Sequence, residues 1–479
     1  MKSREHQKFP DKLHILVCKI LVWEPADKNT IDVDDPAEDK CLTLTECESI
    51  EIEESYKKLI GTATVKFPRG TIIKRTQTAN DIEENGTPTV YTERLADGTI
   101  TEKRSGTSTA RPSDFKVGQR IRIYLGYYEY EDKVFKDSDE EKQYMQEKAL
   151  IKTPDFDGYI VKCSVSTPIE IKCENLASGL KRKNCRKIIT GNHATVNDFL
   201  KSGGKYDLLK GTGLKLHSYT ANCEIDIGKV QLSEDLTVAD VLTEWSKYHL
   251  YSFICNDTDG KPAVAVGRSY FAEKSAESIL NYRNNGANGA LIQFDYHVAE
   301  DGLTLMNTDP KFLAVEAQGW KFEGGKQIRY CVTIRLNPEW TGTKDTTHKK
   351  FQLLNETQLS KKAQKLGATM KSSTKDKVDL SQYVLIPYVA SKIGITEDEL
   401  IKQAEAYFDG YNMNGIEGSI TVFGDYHWLS GNKAELLDIR QPEKNGWYLV
   451  EEVNTKFGVN GYRQTLKLPY CIARPEEEE

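Results

Sequence analysis

Among the residues able to do chemistry, carboxylates are the most numerous: 72 Asp and Glu stand against 65 Lys and Arg and eight His. Two carboxylates suffice for glycoside hydrolysis, but such a pair is defined by separation in space, which the order of residues leaves open. The histidines include no H-E-x-x-H, and the chain has no G-x-S-x-G nucleophile elbow and no G-x-x-x-x-G-K-[ST] phosphate loop. The "GTGLKL" beginning at Gly211 lacks the third glycine of a dinucleotide loop and reads as a turn. The acidic run "DVDDPAED", residues 32 to 39, offers oxygens to calcium without the glycine and closing glutamate of an EF-hand loop, so a solvated loop is the stronger reading. "NDTDG" at 256 fails the same test, since Cys255 occupies its first ligand position, and a hairpin turn explains it. One basic cluster, Lys181, Arg182, Lys183, Arg186 and Lys187, could meet nucleic acid or an acidic neighbour. No aromatic residues are interleaved for base stacking, and a solvated surface is favoured.

The ten cysteines are too dilute for a disulfide framework and contain no C-x-x-C pair. Free thiols packed as small hydrophobes are expected, with Cys163 and Cys173 on inward strand faces. These residues lead to no catalytic, metal or cofactor site, and the expectation is a protein that is not an enzyme. A net charge of -7 removes the bulk attraction for phosphates and disfavours tight DNA binding. The start does not combine a basic segment, an apolar run and a small-residue cleavage site, and nowhere do 18 apolar residues run together, so a soluble chain made in a cytoplasm, with no membrane anchor, is expected.

The elements that carry these residues are mostly strands. In "GTATVKFPRG" Ala63, Val65 and Phe67 alternate with Thr64 and Lys66, and in "GQRIRIYLGYY" Ile121, Ile123 and Leu125 alternate with Arg120, Arg122 and Tyr124. A period of two means one buried and one wet face. "FDGYIVKCSVSTPIEIKCEN" continues as an antiparallel meander turning at "STP". Two polar excursions interrupt it: residues 70 to 114, with turns at "ENG" and "ADG", read as an extended, exposed arm, and residues 129 to 152 as a loop bearing a short helix begun at Ser138. Residues 181 to 289 mix helix and strand. Thr195 with Asp198, and Thr237 with Asp240, have capping-box spacing, and Asp259-Gly260 turns a hairpin. Strands return after residue 290. Residues 346 to 415 read as a helical insertion, with Thr396 and Glu399 capping a helix that Gly410 ends.

The stretch "NGWYLVEEVNTKFGVNGYRQTLKLPY", residues 445 to 470, holds two extended runs entered through Asn445-Gly446 and Asn460-Gly461. Its order of strand, turn and strand echoes the earlier meander, with Asp157-Gly158-Tyr159 standing where Asn445-Gly446-Trp447 stands. Each glycine is expected at positive φ before a strand of aromatic and β-branched residues. Any two antiparallel meanders share this much, so the residues alone leave duplication open.

The order "FKVGQRIRIYLGY", "FDGYI", "IKCEN", together with "GIEGSITVFGDY", containing Gly418 and Gly424, and then "NGWYLVEEV" and "NGYRQTLKLP", resembles the baseplate hub proteins of phage tails, the late control or gene D-like family. The resemblance covers most of residues 45 to 180 and 290 to 472. It implies a mainly β fold with α+β insertions: two related antiparallel, tail-tube-like β-barrels and a mixed α/β middle. The first barrel would take residues 1 to 180, the middle 181 to 289, the second barrel 290 to 345 and 416 to 472, and an acidic tail 473 to 479. It further implies a structural homotrimer in the baseplate of a virion tail, assembled in the host cytoplasm. Such a hub adapts a sixfold tail tube ring to a threefold central spike, beside a tape measure protein, around a channel that DNA crosses without specific binding. An acidic wall would let phosphates pass, although a net charge of this size serves solubility equally well and that simpler account is preferred. A tail-associated cell-wall hydrolase, with residues 181 to 285 as its catalytic part, and a host-surface binding module using the arm are the alternatives.

Overall fold

In a computed structural model the described residues are 14–24, 41–76, 89–94, 100–129, 138–150, 153–191, 193–268, 278–283, 290–305, 313–323, 326–336, 349–354, 383–412, 416–424, 426–469 and 471–473. The acidic run 32 to 39, the "ENG" and "ADG" turns and the tail 474 to 479 lie outside them.

The alternating residues of the first half form β1 (His14–Trp23), β2 (Cys41–Leu44), β3 (Ser49–Ser55), β4 (Lys58–Phe67), β5 (Ile72–Thr76), β6 (Thr89–Arg94), β7 (Ile100–Thr109), β8 (Arg120–Glu129), β9 (Phe156–Cys163) and β10 (Ile169–Asn175), with α1 (Ser138–Ala149) between β8 and β9. They follow one another in a single sheet in the order β3-β4-β10-β9-β8-β1-β2-β5-β7-β6. Ile20, Ile50, Val65, Phe67, Ile73, Ile121, Ile123, Phe156, Ile171 and Cys173 converge from seven of these strands on one core. The sheet therefore curls around its own apolar face, each large aliphatic contributing about 1.5–3 kcal/mol by leaving water. Among the described residues no pairing joins its ends, so the expected barrel is a curled, open sheet in its hydrogen bonding. The polar arm is the edge of that sheet, where β7 pairs with both β5 and β6.

In the last part, β18 (Ala290–Gln293), α6 (Phe294–His297) and β19 (Val298–Leu305) precede β24 (Ile416–Phe423), β25 (Lys433–Leu437), β26 (Gly446–Leu449), β27 (Glu452–Gly458), β28 (Gly461–Leu468) and β29 (Cys471–Ala473). One layer is β18-β25-β26-β29 and the other β19-β24-β28-β27. Between them Ile292, Ile420, Trp428, Leu436, Tyr448, Val453 and Leu466 make a second core. The chain changes layers at Val450 and Glu451, where Val450 N–H donates back to Asn432 at 2.9 Å.

The middle comprises β11 (Ile188–Ile189), β12 (Ala194–Thr195), α2 (Val196–Leu200), β13 (Lys215–Leu216), α3 (Ser218–Asn222), β14 (Asp226–Gly228), β15 (Gln231–Leu232), α4 (Val238–Ser246), β16 (Tyr251–Asn256), β17 (Pro262–Gly267) and α5 (Leu280–Arg283). Both threonine capping boxes form, and Gly260 turns the β16–β17 hairpin at φ +77°.

Sheet partners divide the remaining residues differently from the sequence reading. β20 (Leu313–Glu323) and β21 (Lys326–Leu336) do not join the layers of residues 416 to 468. They share a sheet with β22 (Lys349–Leu354) and β23 (Val384–Ile393), which lie inside the segment expected to be helical. Ile386, Tyr388 and Ala390 are buried while Leu385 and Pro387 are exposed, the period of a strand, and β23 runs parallel to β20. The capped helix does form as α7 (Glu397–Asn412), with Thr396 N–H bonded to Glu399 at 2.9 Å. It runs past Gly410, because Leu400, Ala404 and Phe408 seat it on β20 and β23.

Gly424 lies flat against the ring of Tyr462, where a Cβ would fall 2.2 Å from Cγ. Gly424→Ala should therefore cost about 1–3 kcal/mol, the usual range for overpacking, read as a lowered thermal midpoint.

Candidate functional site

The most densely connected polar groups lie on the seam between the two halves. β3 and β27 pair antiparallel from Ser49–Gly458 to Ser55–Glu452, which makes the two sheets one. The β27–β28 hairpin then places Phe457 and Tyr462 in the core of the first half. Asp155 is buried and accepts from Tyr462 Oη at 3.1 Å and from the Leu125 N–H at 2.7 Å, with His427 Nδ1 3.0 Å away. Tyr127 Oη donates to the Tyr462 carbonyl at 2.8 Å. Glu451, also buried, lies 2.5 Å from Lys57 of the first half and 2.7 Å from Lys467 of the second. Burial favours its neutral form, yet the two lysines hold it below the usual carboxylate range. Tyr56 N–H donates to Ser430 Oγ at 2.6 Å, and Tyr56 shares a small core with Phe253 and Tyr282 of the middle and Leu449 of the second half. All three parts of the chain meet there.

Through this seam β19-β24-β28-β27 and β3-β4-β10-β9 form one antiparallel run of eight strands, four from each half. Its inner face is covered by the two cores, and its other face is polar except at the end where Tyr159 and Ile60 pack on the middle unit. Register sorts that face into transverse rows. One row runs Glu300, Thr421, Thr465, Asn454, Glu53, Thr62 and Glu174, and the next runs Phe423, Arg463, Lys456, Glu51, Thr64, Lys172 and Lys162. None of these side chains is buried. Charge on this face is thus banded, an arrangement that a net charge of -7 does not convey.

The residues singled out in the sequence are turn and strand positions spread along this frame, not one pocket. Gly446 enters β26 at φ +155° and Gly461 enters β28 at φ +95°. Asn445 accepts from the Asp438 N–H at 2.6 Å, and Val459 and Asn460 span the turn from Gly458 to Gly461. Gly418 stands at φ +138°, its hydrogen face against the carbonyl of Gly302. Gly158 is not among the positive-φ glycines. It lies within β9, and glycine is required because the Glu174 carbonyl oxygen would sit 2.1 Å from a Cβ. Tyr159 is buried against the middle unit with Arg182 over its ring at 5.4 Å, and Trp447 is half-buried on β26. The echo holds for one strand pair only: Gly158 pairs with Ile121 and Tyr159 with Arg120, as Gly446 pairs with Leu436 and Trp447 with Glu435, but β9 goes on to pair with β10 whereas β27 leaves β26 for the other layer.

Other clusters have structural roles. Ser218, His217 and Asp257 lie together, but Ser218 Oγ donates straight to Asp257 at 2.7 Å, and Lys215 sits 3.0 Å from the same carboxylate. Burial alone would favour a neutral Asp257; these donors keep it far below the normal range and leave no serine–imidazole relay. A groove of about 560 Å³ beside α4 is lined by Val230, Leu236, Trp245 and Tyr248, with Asp240 and Glu244 at its margin. Asp240 is held low by Thr237, whose helix it caps, and Glu244 pairs with Lys247 at 2.6 Å. Lys181 binds Glu174 at 2.8 Å, Arg182 lies over Tyr159, and Lys183, Arg186 and Lys187 are exposed. Among the described residues nine cysteines are free, Cys173 buried and Cys163 packed beside the same core. Among the described residues no group of three or more His, Cys, Asp or Glu is placed to hold a metal, and no helix is long and apolar enough to cross a membrane.

No family model matches the sequence, and no curated protein matches it. Among solved structures the chain is similar to a 43 kDa tail protein of prophage MuSo2 from Shewanella oneidensis, at 11% identity and TM-score 0.45 over 95% of this chain and 98% of that one. A tail protein from Neisseria meningitidis MC58 aligns at 10% identity and TM-score 0.44, over 96% of this chain and 99% of that one. An E. coli component of the type VI secretion system, described as similar to bacteriophage T4 tail proteins, aligns at 9% identity and TM-score 0.37 over 90% and 76%.

Two outcomes test the seam and the packing around it. Asp155→Ala strips an acceptor from buried donors and should cost about 2–4 kcal/mol in chemical denaturation, whereas Tyr462→Phe, losing one hydrogen bond, should cost about 1 kcal/mol. The second concerns His249, stacked on Tyr388 at 4.8 Å and held to a pKa of about 4 by burial and by Lys57 and Arg268. The unfolded chain takes up this proton near pH 6.5 and the folded one refuses it, so stability is complete above pH 6.5 and declines as pH falls towards 4. Unfolding midpoints measured across that window should drop less steeply in His249→Gln than in the parent, by on the order of 2–3 kcal/mol in total.

Proposed function

We propose that the chain is a baseplate hub: a non-enzymatic homotrimer that joins the sixfold tail tube of a phage, or of a related contractile injection machine, to its threefold central spike, and whose eight-strand run lines the channel. The observation that carries this reading is the fusion of two four-strand modules into one antiparallel run. A closed ring of three subunits matches a sixfold neighbour only if each subunit offers two near-equivalent surfaces in succession, and the two four-strand stretches of this run support that reading. Because both cores lie on one side of it, its polar face is the one left to meet a water-filled channel. The run also has edges to satisfy. β19 pairs only with β24 among the described residues, and β8 reaches β9 only through Phe156–Tyr159, leaving Val161–Cys163 beyond that ladder. A neighbouring subunit can cap such edges, which otherwise invite uncontrolled pairing.

The sequence resemblance to hub proteins points the same way, and by it the tail tube ring, the spike and a tape measure protein would be the partners. On this reading the protein acts through geometry alone. The edge arm and the sheet of β20 to β23 would then be additions outside the ring wall.

The deciding measurement is the mass of the purified chain in solution, together with its outline in negative stain. Three chains in a ring is the expected result, and a stable monomer would remove the proposal. Clearing of purified peptidoglycan by the same preparation would replace it with the hydrolase reading.

A further inference from the structure

The polar face of the eight-strand run holds an arrangement that folding alone disfavours. In its basic row Lys172 stands directly opposite Lys162, and Lys456 directly opposite Arg463. Like charges in such cross-strand pairs destabilise a sheet. Partial relief comes from Glu51, 3.7 Å from Lys456, and Glu170, 3.7 Å from Lys172, while Lys456 and Lys172 remain 66% and 53% exposed. Four cations and one carboxylate leave the row with excess positive charge. The neighbouring row, two residues or about 7 Å along the strands, carries Glu300, Glu53 and Glu174, the last paired with Lys181 from outside the row. The two like-charge pairs are three strand spacings apart, about 14 Å, so the row is broad and shallow, not a pocket.

We propose that this row is a polyanion track that touches the phosphate backbone of duplex DNA threading past the sheet. It rests on the channel-lining reading above. A repeating phosphate charge relieves both like-charge pairs at once and needs no base contact, and the flanking carboxylates keep each contact weak and short-lived. Such a surface is not a uniformly acidic, non-adhesive wall: DNA would be retarded along one band and repelled on the next.

The test uses the full chain and a short fluorescent duplex DNA, titrated at several salt concentrations. Wild type should bind weakly, with affinity falling as salt rises. Lys162→Ser, Lys172→Thr and Lys456→Ser combined should weaken binding about tenfold at low salt and flatten the logarithmic salt dependence by about 0.9 for each phosphate no longer neutralised. Arg463 is left in place because it donates to the Tyr462 carbonyl at the seam. The thermal midpoint of the triple variant should hold or rise, since repulsion has been removed, and a fall would count misfolding as the cause and overturn the assignment. Equal weakening by Lys183→Ser, Arg186→Ser and Lys187→Ser, whose side chains are exposed away from the row, would mean bulk charge and overturn it too. Polyglutamate that competes as well as DNA, through the same three lysines, would replace DNA by an acidic protein segment. Mass measured on the same samples separates the two readings: a monomer whose DNA binding depends on the row keeps the track and loses the hub, and a trimer indifferent to the substitutions keeps the hub and loses the track.

Discussion

The seven-residue ladder between β3 and β27 is the constraint on which the architecture rests. Without it there would be two curled units, each with an open edge. With it a single sheet passes from one half to the other, and the polar groups around it have no freedom left. Backbone pairing alone would hold two edges only loosely. Register is pinned by the side chains: Phe457 and Tyr462 occupy the other half's core, and Glu451 draws one lysine from each half. A shift of one residue would turn both aromatic rings outward.

That rigidity makes the banded charge meaningful. Surface charges on independent loops average out with thermal motion, whereas side chains projecting from a hydrogen-bonded sheet keep their spacing. The rows exist because successive strands are in register over eight partners, so residues far apart in sequence, such as Lys162 and Arg463, fall on one line. The structure thus organises charge without any pocket, and the compact side-chain clusters elsewhere serve as turn clips and helix caps.

The alternation at Ala63, Val65 and Phe67, the threonine caps and the Asp259-Gly260 hairpin are legible in sequence because each is decided by local chemistry within a few residues. The limits appear where partners are remote. Residues 384 to 393 contain Pro387 and few polar alternations, so their strand becomes visible only through the parallel ladder with β20. Sequence pattern places Gly158 at a left-handed position, but what demands glycine there is the backbone of Glu174 across the strand pair. Gly410 has the local chemistry of a helix stop, and the apolar face of α7 outweighs it. The rows of the polar face need seven strand pairings before they can be drawn, and no single segment announces them.

The seam also fixes an order of events during synthesis. Tyr462 lies 335 residues downstream of Tyr127 and 307 downstream of Asp155, yet it completes their surroundings. The first half therefore emerges from the ribosome with a gap in its interior that only the last hairpin can close. A chain released early, short of residue 457, would carry that gap permanently, so consolidation of the first half waits on a hairpin 307 residues beyond Asp155 in the chain.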